Sequence, residues 1–285
     1  MPQTLRGIDP DGLERSCNPR RDSIRFGTGA PGLERAEVHL SSCGFERHRH
    51  DTYAIGITTG GVQRFWYRGA QRICLPGQLH ILHPDEIHDG GPATADGFSY
   101  RILYIAPELI RNAFDGAALP FVADPVPRPT PSASLVAAFL ADIDEPISEL
   151  GLVELAAAIA DLLGALTGAR RHRQVAADLR AAQLARDYLI RHAREQTPAS
   201  TLEQITGTDR FTLARDFRRA FGTSPDRYRT MRRLALARAA IERGLPLARA
   251  AATAGFADQS HMTRQFKRTY GLTPGRWRTL TAAQP

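Results

Sequence analysis

The chain has 285 residues, 42% of them hydrophobic, and a formal net charge of +7 at pH 7. This length has room for about two domains of ordinary size, each able to bury a core. No window comes near the roughly 18 consecutive apolar residues of a membrane-spanning helix, and the N-terminal segment lacks the apolar region of a secretory signal. Three cysteines, an odd number, argue against a disulfide scaffold or a zinc site and favour a reducing cytoplasm.

The charge is divided unevenly along the chain. Residues 1–174 contain 17 basic and 21 acidic side chains, whereas residues 175–285 contain 20 basic and nine acidic ones. A basic half of this kind indicates a polyanionic partner, either nucleic acid or a membrane surface. All the cationic side chains except Lys267 are arginines, which suit bidentate contact with phosphate and guanine.

The first part of the chain predicts a β-barrel. Residues 1–32 are polar and rich in glycine and proline, so we expect a loosely held arm there. Residues 33–123 contain short β-prone runs, such as 53–57 and 98–104, separated by glycine and proline turn signals. Short strands with frequent turns are typical of a barrel or sandwich. The Pro-rich segment 124–131 cannot be the interior of a helix and is interpreted as a strap.

Helical periodicity begins after this strap. Five apolar residues recur at spacings of three and four: Leu152, Leu155, Ile159, Leu162 and Leu166. Such a stripe either packs a helix against the barrel or forms a homodimer through residues 148–168, and the sequence leaves both alternatives open. Residues 124–173 are therefore interpreted as the strap, dimerisation helices and a polar linker at 168–173.

Residues 174–285 have a helical pattern and contain an internal repeat. In each copy an aspartate is placed to cap a helix, apolar residues face inward, and a glycine ends the helix. The helix between the copies is rich in arginine. A helix-turn-helix with polar and basic side chains on its exposed face fits a DNA major groove, although a plain helical hairpin has a similar pattern. At an offset of 49 residues, Asp209, Leu213, Arg215, Phe217, Gly222, Pro225 and Tyr228 return as Asp258, Met262, Arg264, Phe266, Gly271, Pro274 and Trp277.

The repeat carries a family resemblance. The stretch 255–267, Gly-Phe-Ala-Asp-Gln-Ser-His-Met-Thr-Arg-Gln-Phe-Lys, with its continuation at 271–278, resembles the DNA-binding domain of AraC/XylS bacterial transcription regulators, as does 217–225. The resemblance implies seven helices, with two helix-turn-helix units on one connecting helix and each unit in a major groove. It also implies activation, with RNA polymerase as a partner. The sequence departs from the family pattern at Met262 and Trp277, where phenylalanine and tyrosine are commoner.

Carried over by position, the resemblance assigns DNA contacts to both units. The first groove is assigned Arg210, Phe211 and Arg215, and the second is assigned Gln259, Ser260, Thr263 and Arg264. Phosphate contacts, which supply affinity without sequence information, are assigned to Arg218, Arg268 and Arg278.

Three histidines carry a second resemblance. The triplet His-Arg-His at 48–50 would place two imidazoles on one face of a strand, and His88 lies in a later turn-rich stretch. This pattern resembles the cupin barrel, which the sensor domains of AraC/XylS proteins also resemble. The cupin glutamate would fall near position 54 or 55, where alanine and isoleucine cannot ligate a metal. His48, His50 and His88 are therefore weak metal candidates, and no cofactor is expected.

The same histidines are expected to line a small-molecule pocket. Barrel mouths commonly bind ligands with apolar side chains and a few polar groups. The expected ligand-binding residues are His48, His50, Tyr53, Trp66, His88 and Arg101.

These patterns predict an α+β two-domain chain, with a cupin-like β-barrel plus helices and an all-α domain with two helix-turn-helix units. The predicted function is sequence-specific DNA binding by a cytoplasmic transcription regulator, controlled by a small molecule in the barrel. Double-stranded DNA and the effector are the expected partners, with no membrane and no catalytic residue. Two alternatives are a metal-dependent cupin enzyme with a DNA-binding tail and an architectural DNA binder without a ligand.

Overall fold

A computed structural model describes residues 21–114, 119–168 and 179–282 of the chain. Residues 1–20 of the predicted arm and 169–173 of the predicted linker lie outside these ranges. The described residues form nine strands followed by ten helices. The strands are β1 (Ser23–Phe26), β2 (Leu33–Leu40), β3 (Phe45–His48), β4 (Tyr53–Gly61), β5 (Gln63–Tyr67), β6 (Ala70–Cys74), β7 (Leu79–Leu82), β8 (His88–Pro92) and β9 (Phe98–Ile105). The helices are α1 (Pro107–Ala113), α2 (Pro131–Ala138), α3 (Glu149–Thr167), α4 (Leu179–Arg191), α5 (Ala199–Thr206), α6 (Arg210–Phe221), α7 (Pro225–Glu242), α8 (Leu247–Thr253), α9 (Gln259–Tyr270) and α10 (Pro274–Ala282).

The strands form two antiparallel sheets, one with the order β1-β2-β9-β4-β7 and the other with the order β3-β8-β5-β6. Side chains alternate between the two faces along β2, β5 and β9, so one face of each strand points between the sheets. Ala36, Val38, Phe65, Tyr100 and Ile102 belong to one buried cluster there. The predicted β-rich N-terminal domain is confirmed.

Part of the predicted arm is a strand. β1 pairs antiparallel with β2, with Ile24 opposite Val38, and Ile24 is buried. The sequence Ser-Ile-Arg-Phe alternates polar and apolar residues, but four residues are too few to separate a strand from a loop by pattern. Residues 23–26 are therefore an edge strand of the larger sheet rather than a loosely held segment.

Helices α1, α2 and α3 cover the other face of the larger sheet. Ile55 and Leu103 of the sheet form a second buried cluster with apolar residues of α3. Leu155, Ile159 and Leu162 of α3 are each 0% exposed. Of the two interpretations of the apolar stripe, the structure shows packing against the chain's own barrel, and these three residues are not available as a dimer seam.

Helix α3 is long and apolar enough to cross a membrane by length and composition alone, with 19 residues and a mean hydropathy of 1.8. It is the single such helix within the described ranges. Its buried side belongs to the cluster that the sheet, α1 and α2 share.

The two described cysteines, Cys43 and Cys74, are both buried. Cys43 is disulfide-bonded and Cys74 is free, and a single disulfide is not the disulfide scaffold that the sequence argues against.

The C-terminal part of the described chain consists of seven helices, α4 to α10, as the family resemblance implies. Helices α5 and α6 form the first helix-turn-helix unit, α8 and α9 form the second, and α7 connects them. Asp209 caps α6 by accepting hydrogen bonds from the N–H groups of Phe211 and Thr212, and Asp258 caps α9 by accepting one from the N–H of His261. Gly222 and Gly271 end these helices with φ values of 73° and 69°, a conformation that favours glycine.

The helical part packs directly against the barrel. Trp277 of α10 contacts Phe26 of β1, with ring centroids 5.6 Å apart. Arg232 of α7 donates a 2.8 Å hydrogen bond from Nη2 to Asp51 Oδ2, in the loop after β3. Apolar residues of α7, α9 and α10 belong to the same buried cluster as the sheets. The boundary between the two parts is therefore a packed interface.

The last turn of α9 is hydrogen-bonded to strand β3. The N–H of Glu46 donates to the carbonyl oxygen of Gly271 at 3.1 Å, and the N–H of Arg49 donates to that of Arg268 at 3.0 Å. Lys267 Nζ also lies 2.8 Å from Glu46 Oε2. These contacts attach the second helix-turn-helix unit to one edge of the smaller sheet.

Candidate ligand cavity and DNA-binding face

A cavity of about 280 Å³ lies between the barrel and the helical part. The barrel contributes the inner faces of its sheets, and the helical part contributes α7, the end of α9 and α10. The volume is just below the roughly 300–1,000 Å³ that small-molecule sites occupy. Apolar and aromatic lining side chains include Val38, Phe65 and Tyr100 from the barrel and Met231, Tyr270 and Trp277 from the helices.

Two arginines of α7 bring positive charge to this cavity. Arg232 pairs with Asp51, and Arg238 donates from Nη1 to Glu34 Oε2 at 2.9 Å. The guanidinium carbon of Arg238 also lies 5.4 Å from the ring centroid of Phe26. Both carboxylates belong to the barrel, so the ion pairs join the two parts of the chain beside the cavity.

The histidines predicted at 48, 50 and 88 come together in the cavity wall. One ring nitrogen from each of His48, His50 and His88 lies within 4.8 Å of the others. Each Nδ1 atom lies near the backbone carbonyl oxygen of a residue two positions away, at 2.7, 2.9 and 2.9 Å respectively. Because a carbonyl oxygen only accepts hydrogen bonds, each Nδ1 is the protonated nitrogen and each Nε2 keeps its lone pair.

These three imidazoles are neutral at pH 7. Burial lowers the pKa of His50 to about 3 and that of His88 to about 4, and it also lowers the pKa of His48. His50 Nε2 is buried and has no hydrogen-bond partner among the described residues. A set of neutral imidazoles with free lone pairs is the form that ligates transition metals, so the residues present fit a metal ion.

Three of the predicted ligand-binding residues, Tyr53, Trp66 and Arg101, lie outside the lining of this cavity. In β4, Ala54 lines the cavity, whereas Tyr53 points into the cluster under α1, α2 and α3. Trp66 lies on the outer face of β5 and is 38% exposed. Arg101 lies on the outer face of β9, where its Nε donates to Glu37 at 2.8 Å. Since side chains of a strand alternate between faces, an error of one residue moves each prediction to the opposite face.

The part of the cavity that comes from α7 is not predicted from the sequence, where the arginines of this helix are interpreted as a basic connection that favours DNA binding. In the structure, Arg232 and Arg238 face the barrel instead. Cavity-lining residues of α7 stand at positions 228, 231, 232, 235 and 238, which is the spacing of one helical face. These positions hold both apolar and basic residues, and their helical spacing is the sequence signal that could have predicted a buried face on α7.

The predicted DNA contacts lie on the accessible faces of α6 and α9. Of the nine assigned to the two helices, all are exposed except Thr263, which is half-buried, and Arg278 of α10 is also exposed. Phe211 is 72% exposed, an unusual position for a large aromatic side chain. Arg210 donates from Nε and Nη2 to the Glu203 carboxylate at 2.8 and 2.9 Å, which ties α6 to α5. A base contact that uses Nε and Nη2 of Arg210 therefore requires this ion pair to open.

Two protein-family models match the chain. The model of the AraC-like ligand binding domain matches residues 30–185, and that of a helix-turn-helix domain matches residues 202–279. The chain belongs to the AraC family. It is an AraC-type DNA-binding transcription regulator with an N-terminal ligand-binding domain.

Two proteins are similar to this chain over most of its length. The uncharacterised HTH-type transcriptional regulator YbfI of Bacillus subtilis (strain 168) is 27% identical over 230 residues, which cover 76% of this chain and 81% of YbfI. A structure of ToxT from Vibrio cholerae matches with a TM-score of 0.62 at 10% identity, covering 88% of this chain and 99% of ToxT. A ToxT structure bound to an unsaturated fatty acid has a TM-score of 0.62 at 12% identity, covering 92% and 96%. The ToxT likeness shows that the two-domain fold is shared.

Proposed function

We propose that a small-molecule effector binds in the cavity between the barrel and the helical part and thereby changes the affinity of this regulator for DNA. The observation that carries the proposal is that residues of both parts line one cavity. An effector there contacts Met231, Arg232 and Arg238 on α7, the helix that connects the two helix-turn-helix units. An effector that fits one arrangement of the two parts better than another shifts the population toward that arrangement.

The lining favours an effector with an apolar body and one acidic group. Aromatic and aliphatic side chains surround most of the cavity, and Arg232 and Arg238 offer charged hydrogen-bond donors. An effector carboxylate that binds Arg238 competes with Glu34 and weakens an ion pair between the two parts. The ToxT structure that holds an unsaturated fatty acid supports this chemical class, because that protein shares the fold.

We propose that α6 and α9 enter two successive major grooves. Arg210, Phe211 and Arg215 then contact the first groove, Gln259, Ser260, Thr263 and Arg264 contact the second, and Arg218, Arg268 and Arg278 contact phosphates. The exposure of these side chains supports the assignment. Each bidentate contact with a base contributes about 1–3 kcal/mol of discrimination, whereas phosphate contacts contribute affinity that falls with salt.

Assembly and regulation extend the same proposal. A homodimer through residues 148–168 uses the outer face of α3, where Leu150 and Val153 are 67% and 60% exposed. The family resemblance supports activation through RNA polymerase, and the DNA target supports a cytoplasmic location. The enzyme alternative is not favoured because both matched family models describe parts of regulators.

A thermal-shift screen of the full chain tests the effector site. The library contains unsaturated fatty acids, aromatic acids and neutral sugars, and a binder raises the melting temperature because it stabilises the folded form alone. Ala235→Leu fills the cavity from α7, while Ala239→Leu makes the same change on α7 at a half-buried position outside the set of cavity-lining residues. We expect a shift that A239L keeps and A235L loses. A shift that both variants keep equally places the effector elsewhere and overturns the proposed site.

A further inference from the structure

We propose that His48, His50 and His88 bind one divalent transition-metal ion and that this ion fixes the strand on which helix α9 docks. The proposal does not depend on the effector. It rests on the ring geometry of the three histidines and on the hydrogen bonds between β3 and α9.

The imidazole rings are arranged as a set of ligands. The ring centroid of His88 lies 4.2 Å from that of His48 and 4.9 Å from that of His50. Each ring is oriented by its Nδ1–H, which donates to a backbone carbonyl oxygen. Metal-binding histidines are usually oriented by such a second hydrogen bond, which fixes both the tautomer and the plane of the ring. With each Nδ1 protonated, Nε2 is the nitrogen that each ring offers to a metal, and one ring nitrogen from each histidine lies within 4.8 Å of the others.

The ligand atoms indicate which ions fit. Three neutral imidazoles suit Zn²⁺, Co²⁺ or Ni²⁺ better than Mg²⁺ or Ca²⁺, which prefer oxygen. Three protein ligands leave at least one coordination position for water or for an acidic group that enters the cavity. The guanidinium of Arg227 is held away from the ring nitrogens by other partners: its Nε lies 3.8 Å from Asp85 Oδ1, which also pairs with Arg49, and its Nη2 donates to the carbonyl oxygen of Arg49 at 2.6 Å.

Strand β3 is held weakly by its own sheet. It is an edge strand, and its register with β8 shifts between the pairs Phe45–Gly90 and His48–His88. An ion bound by His48, His50 and His88 would link the C-terminal end of β3 to the start of β8. Metal binding would thus order the strand that α9 contacts.

Helix α9 approaches this strand closely at the metal ligands. A Cβ atom on Gly271 would lie 2.9 Å from His48 Nδ1 and 2.9 Å from Phe45 Cβ, so the end of the helix fits only as glycine. The N–H groups of Glu46 and Arg49 flank His48 and donate to the last turn of α9. Loss of the ion would weaken the hydrogen bonds from Glu46 and Arg49 to α9. The second helix-turn-helix unit would then detach from β3.

Titration of the full chain with Co²⁺ tests the site. Metal-free protein is prepared with a chelator, and Co²⁺ is added because its visible absorption reports nitrogen coordination. We expect saturation at one ion per chain for the wild type and for His39→Gln, a control at an exposed histidine of β2. We expect H50Q, H88Q and H48Q to lose the absorption, and circular dichroism verifies that each variant is folded. His48 is the half-buried member of the three.

Hydrogen exchange tests the link to α9. We expect the amides of residues 45–49 to exchange several-fold more slowly in Zn²⁺-loaded than in metal-free wild type. Absence of Co²⁺ absorption in folded wild type, or absorption that survives both H50Q and H88Q, would overturn the metal site. Unchanged exchange at residues 45–49 with Zn²⁺ bound would overturn the link, and this wild-type comparison needs no variant to fold.

Discussion

Arg238 of α7 donates from Nη1 to Glu34 Oε2 of β2 at 2.9 Å, so an ion pair joins the connecting helix of the DNA-binding part to the sensor barrel. The side chains of Arg238 and Glu34 are 17% and 44% exposed, which places the pair at the rim of the cavity. Arg238 also lies against the aromatic rings of Phe26 and Trp277. The helix that sets the spacing between the two helix-turn-helix units is thus held by the barrel beside the proposed effector site.

A double-mutant cycle with Glu34→Gln and Arg238→Gln should reveal this connection. Because Glu34 is partly exposed, we expect a coupling free energy of only about 0.5–1 kcal/mol. The free energy of unfolding is measured by urea titration for the wild type, both single variants and the double variant. A coupling free energy of zero would show that the ion pair does not hold the two parts together.

Arg264→Ala should weaken binding to a selected operator by about 1–3 kcal/mol, because Arg264 lies on the exposed face of α9 where a base contact is proposed. Fluorescence anisotropy with operator and random DNA measures the difference. Arg128→Ala removes the same charge from an exposed position in the strap and is the matched control. An equal loss on random DNA would identify Arg264 as a phosphate contact without base specificity.

Two aspartate substitutions on α3 separate its buried and outer faces. Ile159→Asp places a charge in the core between α3 and the sheet, and we expect a loss of about 3 kcal/mol or more in the free energy of unfolding. Val153→Asp lies on the outer face and should change that free energy by less than about 0.5 kcal/mol. Sedimentation measures the mass of V153D, which should be that of a monomer if the outer face is the dimer contact. A dimer that survives V153D would contradict that face.

His83 should make the chain less stable in mild acid. Its Nε2 accepts a hydrogen bond from the N–H of Val122 at 3.1 Å, and burial together with the charge of Arg68 lowers its pKa to about 4. In the unfolded chain the pKa is about 6.5, so between these values the unfolded state binds a proton that the folded state excludes. The free energy of unfolding therefore falls as pH decreases through this window, by up to about 1.4 kcal/mol per pH unit from this group.

Urea unfolding of the wild type and His83→Gln at several values between pH 4 and 7 measures this contribution. The glutamine can still accept the hydrogen bond but does not titrate, so H83Q should lose part of the pH dependence. The other buried histidines contribute equally to both proteins. Identical pH dependence in the two proteins would show that His83 is not held neutral by the fold.

The helical part could be predicted from sequence because its signals are local. Asp209 and Gly222 delimit α6 at the residues that the sequence indicates, since capping requires only backbone groups one turn away. The three clustered histidines could likewise be predicted, because His48 ends β3, His50 follows two residues later and His88 begins β8, the strand that pairs with β3.

The cavity could be predicted only in part because it depends on contacts distant in sequence. Whether Tyr53 or Ala54 faces the cavity depends on the phase of β4 against its partners, which a short apolar run does not fix. The direction of Arg232 and Arg238 depends on the docking of α7 on the barrel. The sequence of an arginine-rich helix does not distinguish arginines that pair with barrel carboxylates from arginines that contact DNA phosphates.

Coupling between the cavity and DNA is the central claim, and Trp277 allows a direct measurement. The chain has two tryptophans, and Trp66→Phe removes the outer one, leaving Trp277 in the cavity wall as the fluorophore. The dissociation constant of an effector found in the screen is measured with W66F, with and without saturating operator DNA. We predict that DNA changes this constant by a factor of about 5–150, equal to the factor by which the effector changes the affinity for DNA. An effector dissociation constant that is the same with and without bound DNA would contradict the account.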